Sequence, residues 1–587
     1  MRKELLLLGA FGMLTTATLC AQEFHLQPTP QEYITQKDSV DIPRQYQILS
    51  GNSVQDGPAL PLLRSLMPEE VLGASFRVYI GVKGDKIIKK YQHRIPRKSE
   101  GYFLKIEKDC IVIAGADERG AYYGVQTLAQ LLALDKLPLA EVTDYPDVPY
   151  RGVVEGFYGA PWSQEARIRQ LDFYGRNKMN VYIYGPKDDP YHRTPNWRKP
   201  YPAREGEELK VLVNRAKENN VIFYWAIHPG QDIRWNEEDR SLLLQKFESM
   251  YQLGVRGFAV FFDDISGEGT KADKQAELLN YIDDHFVKVK RDVAPLILCP
   301  TEYNKSWTDV EGGYLTTLGD KLNEGIKVMW TGDMVVATID KSTLDFVNPL
   351  LKRKAYIWWN FPVSDYVQDH LLLGPVYGNG LDIKDDMSAF VSNPMEHAEA
   401  SKISLYSVAD YTWNMENYDS ETSWKHAVRD LMPLHAEYLE IFAAHNSDPG
   451  QNGHRFRREE SVAIQPALSA LLKAYQEKNE IDEDAYRQVA EECRKIIVAA
   501  DGLLASGNEN RPLITEIRPW LIQFKQVGEY GAEVLNMIRL RQQKDAFIGS
   551  YEHARALLVL MGETDAQYKA GIKSGSLHLM PTFNALF

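Results

Sequence analysis

Two adjacent aspartates, Asp263 and Asp264, directly follow a short apolar run at residues 258–262. Two carboxyl groups held close together in a partly dry site resist ionising together, so the pKa of one rises and it keeps its proton near neutrality. One acid can then donate a proton while its neighbour stays charged. Cleavage of a glycosidic bond needs both, because the leaving oxygen must be protonated and positive charge at the anomeric carbon must be stabilised. A solvated turn or a Ca²⁺ loop is the structural alternative, since Asp and Gly are common in both.

Polar and aromatic residues also follow other short apolar runs of the same region. They are Lys187, Asp188, Asp189, His228, Tyr303, Asn304, Thr331, Asp333, Trp358, Trp359, Asn360 and Asp365. A ring of ammonium, carboxylate, amide and aromatic groups suits a sugar, which needs paired hydrogen bonds and a stacking face. Each also has a structural alternative: an ion pair for Lys187, core packing for the two tryptophans and a structural hydrogen bond for His228.

The elements that would position these groups are short apolar runs separated by helical patterns. Such runs recur every ~30 to 50 residues, which is typical of parallel strands covered by helices. The eight runs are residues 152–157, 181–184, 221–227, 257–262, 296–299, 327–330, 355–359 and 403–408. The sequence therefore predicts an α/β fold with a closed (β/α)₈ barrel, whose catalytic groups gather at the carboxyl ends of the strands.

Two further features favour the closed barrel. Leu279, Ile282, Phe286 and Val289 are spaced by three, four and three residues, as on one face of a helix between strands. An open doubly wound sheet uses the same alternation of strands and helices, but no GxGxxG motif follows the first run.

The barrel is expected to occupy residues 149–448, with a domain on each side. Residues 22–148 read as an α/β domain, with a β-hairpin at 102–106 and 110–114 and an amphipathic helix at 123–132. Residues 449–587 read as a helical bundle, because Ile464, Leu468, Leu471 and Leu472 share one helix face.

Composition excludes several classes of protein. The 587 residues include 67 Lys and Arg against 81 Asp and Glu, a net charge of −14, which argues against nucleic-acid binding. At 44% hydrophobic and 25% charged residues the chain is neither disordered nor fibrous. The four cysteines are widely spaced and have no metal-ligand spacing, so we expect no disulfide framework, no metal and no cofactor.

The first 21 residues have the pattern of a secretory signal peptide. Arg2 and Lys3 precede an apolar run at residues 5–14, and small residues follow up to Ala21, near which we expect cleavage. Leu19 before Cys20 makes lipidation the weaker alternative. No later stretch has the ~18 to 20 uninterrupted apolar residues of a membrane span. We therefore expect an exported protein, periplasmic or extracellular.

Several ordered motifs carry a resemblance to a known family. They are RGVVEGFYG at 151–159, YGPKDDPY at 184–191, FFDDI at 261–265, CPTEYN at 299–304, WTG at 330–332 and WWNFPVSD at 358–365. The chain resembles glycoside hydrolase family 84, the bacterial relatives of O-GlcNAcase, which remove β-linked N-acetylglucosamine. The resemblance covers the N-terminal domain, the barrel and the helical region. Some longer members carry a further β-rich module, which we expect this chain to lack.

The resemblance implies substrate-assisted hydrolysis by a retaining exo-β-N-acetylglucosaminidase. The 2-acetamido oxygen of the sugar would attack the anomeric carbon and give an oxazoline intermediate. Asp263 would orient and polarise the acetamido N–H, and Asp264 would act as general acid and then as general base. The assignment of these two roles comes from the resemblance, because adjacency alone does not distinguish the two residues.

The resemblance also implies a set of sugar-binding residues. Tyr303 would bind near the acetamido group, and Tyr158, Cys299, Thr331 and Trp358 would wall its methyl pocket. The sugar hydroxyls would be held by the carbonyl of Gly156 and by Lys187, Asn360, Asp365 and Asn393.

Two other functions stay open alongside this one. An endo-acting hyaluronan or glycan hydrolase is a label that some relatives carry, but hyaluronan is polyanionic and this chain is acidic. A non-catalytic binder of N-acetylglucosamine is the other alternative, and the presence of both aspartates gives it no support. The expected partner is β-linked N-acetylglucosamine on a glycoprotein or glycan.

Overall fold

The computed structural model describes residues 25–67 and 69–587. The signal peptide expected at residues 1–21 lies outside the described residues. Within the described ranges, no helix combines the length and the apolar character that a membrane crossing demands.

In its described residues the first domain is an α/β sandwich of one sheet and two α-helices. Within the described residues six strands form a mixed sheet in the order β1-β6-β4-β5-β3-β2. The elements are β1 Glu32–Val40, β2 Gln47–Ser50, α1 Ala59–Leu66, β3 Arg77–Val82, β4 Tyr102–Ile106, β5 Cys110–Gly115, α2 Glu118–Leu132 and β6 Leu137–Asp144. The predicted hairpin is confirmed, since β4 and β5 pair antiparallel. Helix α2 begins five residues before the predicted start, because the Asp117 carboxylate caps it by accepting from the Gly120 N–H.

The second domain is the predicted closed barrel. Residues 150–392, all described, supply eight parallel strands in the order β10-β11-β12-β13-β14-β7-β8-β9. The strands are β7 Tyr150–Glu155, β8 Val181–Tyr184, β9 Ile222–Ile227, β10 Gly257–Phe261, β11 Ile297–Cys299, β12 Lys327–Trp330, β13 Ala355–Trp359 and β14 Met387–Ser392. The helices around them are α3 Gln164–Arg176, α4 Ala203–Glu218, α5 Glu237–Gln252, α6 Ala272–Ile282, α7 Tyr314–Lys321, α8 Lys341–Leu351 and α9 Ala398–Trp413. Seven of the eight predicted runs are confirmed as strands.

The eighth predicted strand was wrong. Residues 403–408 lie inside α9, and the strand that closes the barrel is β14, Met387–Ser392. Every residue of α9 is buried, so the helix has no exposed polar face from which its period could be read. In the true strand, Ser388 interrupts the apolar run and Ser392 ends it.

One member of the predicted helical stripe also leaves the core. Leu279, Ile282 and Phe286 are buried, whereas Val289 is 65% exposed. A π-helical turn at Asp283–Val287 follows α6 and changes the phase of the residues after it.

The region after α9 is helical, as predicted. Its helices are α10 Ser420–Leu431, α11 Ala436–Ala444, α12 Gln465–Lys478, α13 Glu483–Ala505, α14 Arg511–Leu540, α15 Lys544–Ala566 and α16 Leu579–Leu586. Their apolar side chains belong to the same continuous core as the outer layer of the barrel. The helical region is therefore packed on the barrel rather than tethered to it.

Candidate active site

A cavity of about 230 Å³ opens at the carboxyl ends of the barrel strands. It is lined by all twelve residues to which the family resemblance gives a catalytic or sugar-binding role: Gly156, Tyr158, Lys187, Asp263, Asp264, Cys299, Tyr303, Thr331, Trp358, Asn360, Asp365 and Asn393. The other polar and aromatic residues that the sequence analysis placed after the strands do not line it: Asp188, Asp189, His228, Asn304, Asp333 and Trp359. The strands that deliver them run around the whole barrel, so residues up to 237 positions apart in the chain meet at one site. Their roles in binding and catalysis stay predictions.

The aspartate pair follows β10, whose five residues are all buried. Asp263 is 5% exposed, while Asp264 is exposed at the open side of the cavity. Asp264 has a φ of +53°, in the left-handed region that non-glycine residues seldom adopt. Successive side chains of an extended chain point to opposite sides, so this turn is what lets both carboxyl groups face one cavity.

The Asp263 carboxylate is held ionised by neighbouring cationic and polar groups. Its Oδ2 lies 2.6 Å from the Lys187 Nζ, and its Oδ1 lies 3.5 Å from the His228 Nε2. Burial alone would raise the pKa of Asp263, but the Lys187 ammonium and His228 outweigh burial and lower that pKa well below its usual range. For Asp263 the decisive neighbour is thus a cation, not the like charge that we expected from the sequence.

The Asp264 carboxylate accepts hydrogen bonds from two tyrosines. The Tyr158 hydroxyl donates to Oδ2 and the Tyr303 hydroxyl donates to Oδ1, both at 2.8 Å. Burial and the nearby carboxylates raise the pKa of Tyr158 to about 12 and also raise that of Tyr303. Both phenols therefore stay protonated and serve as donors at neutral pH.

The amide and carboxylate groups on the opposite wall form a fixed network. Asn393 donates to the Asn360 Oδ1 at 3.0 Å, and the Trp358 indole N–H donates to the same oxygen at 2.8 Å. Asp365 accepts from the Tyr158 backbone N–H at 2.9 Å, and burial raises the pKa of Asp365. Such a network presents preset donors and acceptors to a polyhydroxylated ligand.

The apolar part of the cavity is closely packed. The Cys299 thiol is buried, and burial raises its pKa, so it acts as a small neutral surface rather than as a nucleophile. Gly156 lies against the Trp358 ring, where a Cβ would come within 2.5 Å of a ring carbon. A larger residue at position 156 would displace the ring from the cavity wall.

Sequence reasoning missed several residues at the site. Trp307 lies at the mouth with its ring 4.8 Å from that of Tyr303, and the His454 ring meets Tyr366 edge-on at 4.9 Å. His454 follows the last barrel strand by more than 60 residues, so the spacing of the runs gave no signal for it. Gln231 contacts the aspartate pair from a loop after β9, and His228, read as structural, contacts it from the same loop.

A calcium loop was the structural alternative for the aspartate pair. In the part of the chain that the structure describes, no three His, Cys, Asp or Glu side chains are grouped as ligands for a metal ion. The groups that surround the pair are instead an ammonium, an imidazole and two phenols.

Family models match almost the whole chain. Residues 151–444 match a model described as beta-N-acetylglucosaminidase, and residues 460–587 match the bacterial GH84 post-catalytic domain. Residues 23–145 match domain 2 of glycosyl hydrolase family 20.

Comparisons with individual proteins and solved structures agree with the family models. The chain is 35% identical to the Protein O-GlcNAcase of Rattus norvegicus over 276 residues, 45% of this chain, and the match spans only 30% of the length of that relative. The solved structure of CpGH84B superposes with a TM-score of 0.88 at 31% identity, covering 96% of this chain and all of that one. The structure of CpGH84D gives a TM-score of 0.86 at 28% identity, covering 96% of this chain and 99% of that one.

Proposed function

Since this chain belongs to glycoside hydrolase family 84, we propose that it is a retaining exo-β-N-acetylglucosaminidase. Its substrate is a terminal β-linked N-acetylglucosamine on a glycoprotein or glycan, cleaved with the help of the 2-acetamido group of the sugar. A closed floor favours a terminal sugar, because Cys299 and Trp358 belong both to the cavity lining and to the inner core of the barrel. We also propose that the protein is exported, on the sequence of residues 1–21.

One observation carries the mechanism. Asp263 lines the cavity and is held ionised by its ion pair with Lys187 through Oδ2, and among the described residues none donates a hydrogen bond to its Oδ1. A buried carboxylate with one oxygen that accepts no hydrogen bond is suited to accept the N–H of an acetamido group. Its negative charge also stabilises the positive charge that the amide acquires as its oxygen attacks.

The reaction then needs one further group, which Asp264 supplies. As the acetamido oxygen forms its bond to the anomeric carbon, the bond to the leaving oxygen breaks and Asp264 gives that oxygen a proton. In the second half, Asp264 takes a proton from water as the water oxygen attacks the anomeric carbon and the oxazoline ring opens. Two inversions give net retention. Asp264 thus regains the proton that it gave to the leaving oxygen and is ready for the next turnover.

The direct test is hydrolysis of aryl N-acetyl-β-glucosaminides with good and poor leaving groups. We expect turnover, a β-anomer as first product by NMR, and inhibition by a thiazoline mimic of the oxazoline. Asp264→Asn should lower kcat/KM on the poor leaving group by about 10²- to 10⁴-fold and on the activated one much less, because a basic leaving oxygen needs the proton most.

The matched control is Asp273→Asn, an exposed carboxyl group in the first turn of α6, which should keep full activity. Equal losses on both substrates in Asp264→Asn would reject the acid role. Efficient cleavage of plain β-glucosides by the wild-type enzyme would reject participation of the acetamido group.

A further inference from the structure

The two catalytic aspartates share one cavity only because of an unusual backbone turn. Asp263 ends the run of β10 in a buried position, and Asp264 follows it in the left-handed conformation at φ +53°. An aspartate can adopt this conformation, but it is not the one it prefers, so surrounding contacts must hold it. Without that turn the second carboxyl group would point away from the first.

The contacts come from one loop after β9, residues 228–231. The His228 Nε2 lies 2.8 Å from the carbonyl oxygen of Asp263, and the Gln231 Nε2 lies 3.2 Å from the carbonyl oxygen of Asp264. A carbonyl oxygen only accepts, so the His228 Nε2 carries the hydrogen and donates it. Two successive carbonyls of the turn are thus bonded by side chains of one loop.

The loop itself has little freedom to shift. A Cβ on Gly230 would come within 2.6 Å of the Ile265 side chain, and one on Gly269 would come within 2.0 Å of the Gly230 carbonyl oxygen. The His228 backbone N–H also donates to the His192 carbonyl oxygen at 2.8 Å. The loop after β9 and the turn after β10 therefore pack as one unit, with the two donors between them.

We propose that His228 and Gln231 are positioning residues, which hold the left-handed Asp263-Asp264 turn so that both carboxyl groups face the substrate. Neither acts on the sugar directly, because neither side chain lines the cavity: His228 is buried and donates to the Asp263 carbonyl, and Gln231 donates to the Asp264 carbonyl. This role rests on the proposed function and adds to it two residues that do not line the cavity.

The two donors should affect different parts of the reaction. Loss of the His228 donor frees the peptide carbonyl of Asp263, so the Oδ1 of Asp263 moves away from the acetamido N–H of the sugar. Every substrate depends on this contact, whatever its leaving group. Loss of the Gln231 donor frees the carbonyl of Asp264 and displaces the acid, which matters most for a poor leaving group.

The experiment compares kcat and KM on two aryl N-acetyl-β-glucosaminides, one activated and one with a poor leaving group. His228→Leu, which keeps volume without a donor, should lower kcat about 10- to 100-fold on both substrates with little change in KM. His228→Gln should recover most of that loss, because its amide can donate to the same carbonyl. Gln231→Ala should lower kcat about 3- to 10-fold on the poor leaving group and less on the activated one.

Matched controls separate positioning from folding. His445→Gln changes another buried histidine, bonded to Ser461 in the helical region, and Gln252→Ala changes an exposed glutamine at the end of α5. Both should keep wild-type kcat. Thermal midpoints are measured for all variants, and Gln231 is exposed, so its variant should fold even if His228→Leu does not.

Each outcome decides between the claims. A wild-type protein that hydrolyses neither substrate overturns the proposed function and this inference with it. A wild-type protein that turns over both, while Gln231→Ala keeps its kcat on the poor leaving group, overturns the inference alone. The same holds if His228→Gln is as impaired as His228→Leu, because a bond to the Asp263 carbonyl is then not what the ring provides.

Discussion

At the scale of single residues, the charge state of Asp263 depends on one cation. The Lys187 Nζ lies 2.6 Å from the carboxylate, and both side chains are almost fully buried. Burial by itself would favour the protonated acid, which could neither accept the acetamido N–H nor offset positive charge. The ion pair therefore sets the protonation state on which the proposed mechanism depends.

Removing that cation should move the pH profile of the enzyme. In Lys187→Met, burial is no longer opposed by the ammonium, so the pKa of Asp263 rises and the carboxylate is lost at milder acidity. Since the ionised form is the active one, the acidic limb of kcat/KM should move to higher pH by about 1 to 3 units. The measurement is a pH–rate profile on an activated aryl substrate.

Lys187→Arg keeps a cation and should leave the acidic limb near its wild-type position. A uniform loss of activity with an unmoved limb would contradict the assignment.

The site was predictable as a set of residues but not as a set of contacts. The twelve residues line one cavity because they follow the ends of barrel strands, which motif order and spacing convey. The pairing of Lys187 with Asp263 and of two tyrosines with Asp264 depends on side-chain directions across the barrel, which spacing does not convey. His228 was weighed as a structural histidine, and its bond to a backbone carbonyl could not be read from the sequence.

At the scale of elements, α9 explains the error in the predicted fold. This helix lies between the barrel, the first domain and α14, so it is buried on every side and its sequence lacks a polar stripe. Strands of the barrel have the same unbroken apolar character for the same reason. A helix is otherwise distinguished from a strand by the period of its apolar residues. Burial on all sides leaves the helix without a polar stripe, so that period cannot be read from the sequence.

The N-terminus of α9 is capped by a carboxylate from another helix. Glu516 of α14 accepts from the backbone N–H groups of Glu399 and Ala400, at 2.7 and 2.9 Å. Burial and the nearby Glu399 outweigh these bonds and raise the pKa of Glu516 to about 8. The contact between barrel and helical region therefore contains a group that titrates near neutrality.

This cap should make stability depend on pH. Between the ordinary pKa of a glutamate and about 8, the folded protein binds a proton at Glu516 that the unfolded chain does not, so this contribution to stability falls as pH rises. Glu516→Gln keeps an acceptor oxygen but cannot titrate, so its thermal midpoint should fall less than that of wild type from about pH 5 to pH 9. Over this pH range the free energy of unfolding of wild type should fall by a few kcal/mol more than that of the variant, at about 1.4 kcal/mol per pKa unit. Glu529→Gln, a change at a partly exposed carboxyl group on the same helix, should parallel wild type. Parallel curves for Glu516→Gln would contradict the raised pKa.

At the scale of the whole molecule, one buried carboxylate joins the first domain to the barrel. Asp144, at the end of β6, is fully buried and accepts from Lys178 and Tyr102 through Oδ2 and from Trp413 through Oδ1. Lys178 lies between α3 and β8, and Trp413 ends α9, so the contacts reach two parts of the barrel domain. The Lys178 ammonium also lies 4.5 Å from the Trp413 ring. The first domain is thus fixed to the barrel by charge as well as by apolar packing.

Breaking this connection should destabilise both domains together. In Asp144→Asn the Lys178 ammonium stays buried but loses its counter-ion, and one amide oxygen cannot replace a carboxylate that also accepts from Tyr102 and Trp413. An uncompensated buried charge costs about 3 to 5 kcal/mol. Calorimetry should show a lower thermal midpoint in a single transition, with kcat at 25 °C unchanged because the active site lies at the other end of the barrel.

The control is Glu141→Gln, on the same strand but in partly exposed ion pairs, which should lower the free energy of unfolding by at most about 1 kcal/mol. An early transition confined to the first domain, with the barrel melting at the wild-type temperature, would show instead that the two domains unfold independently.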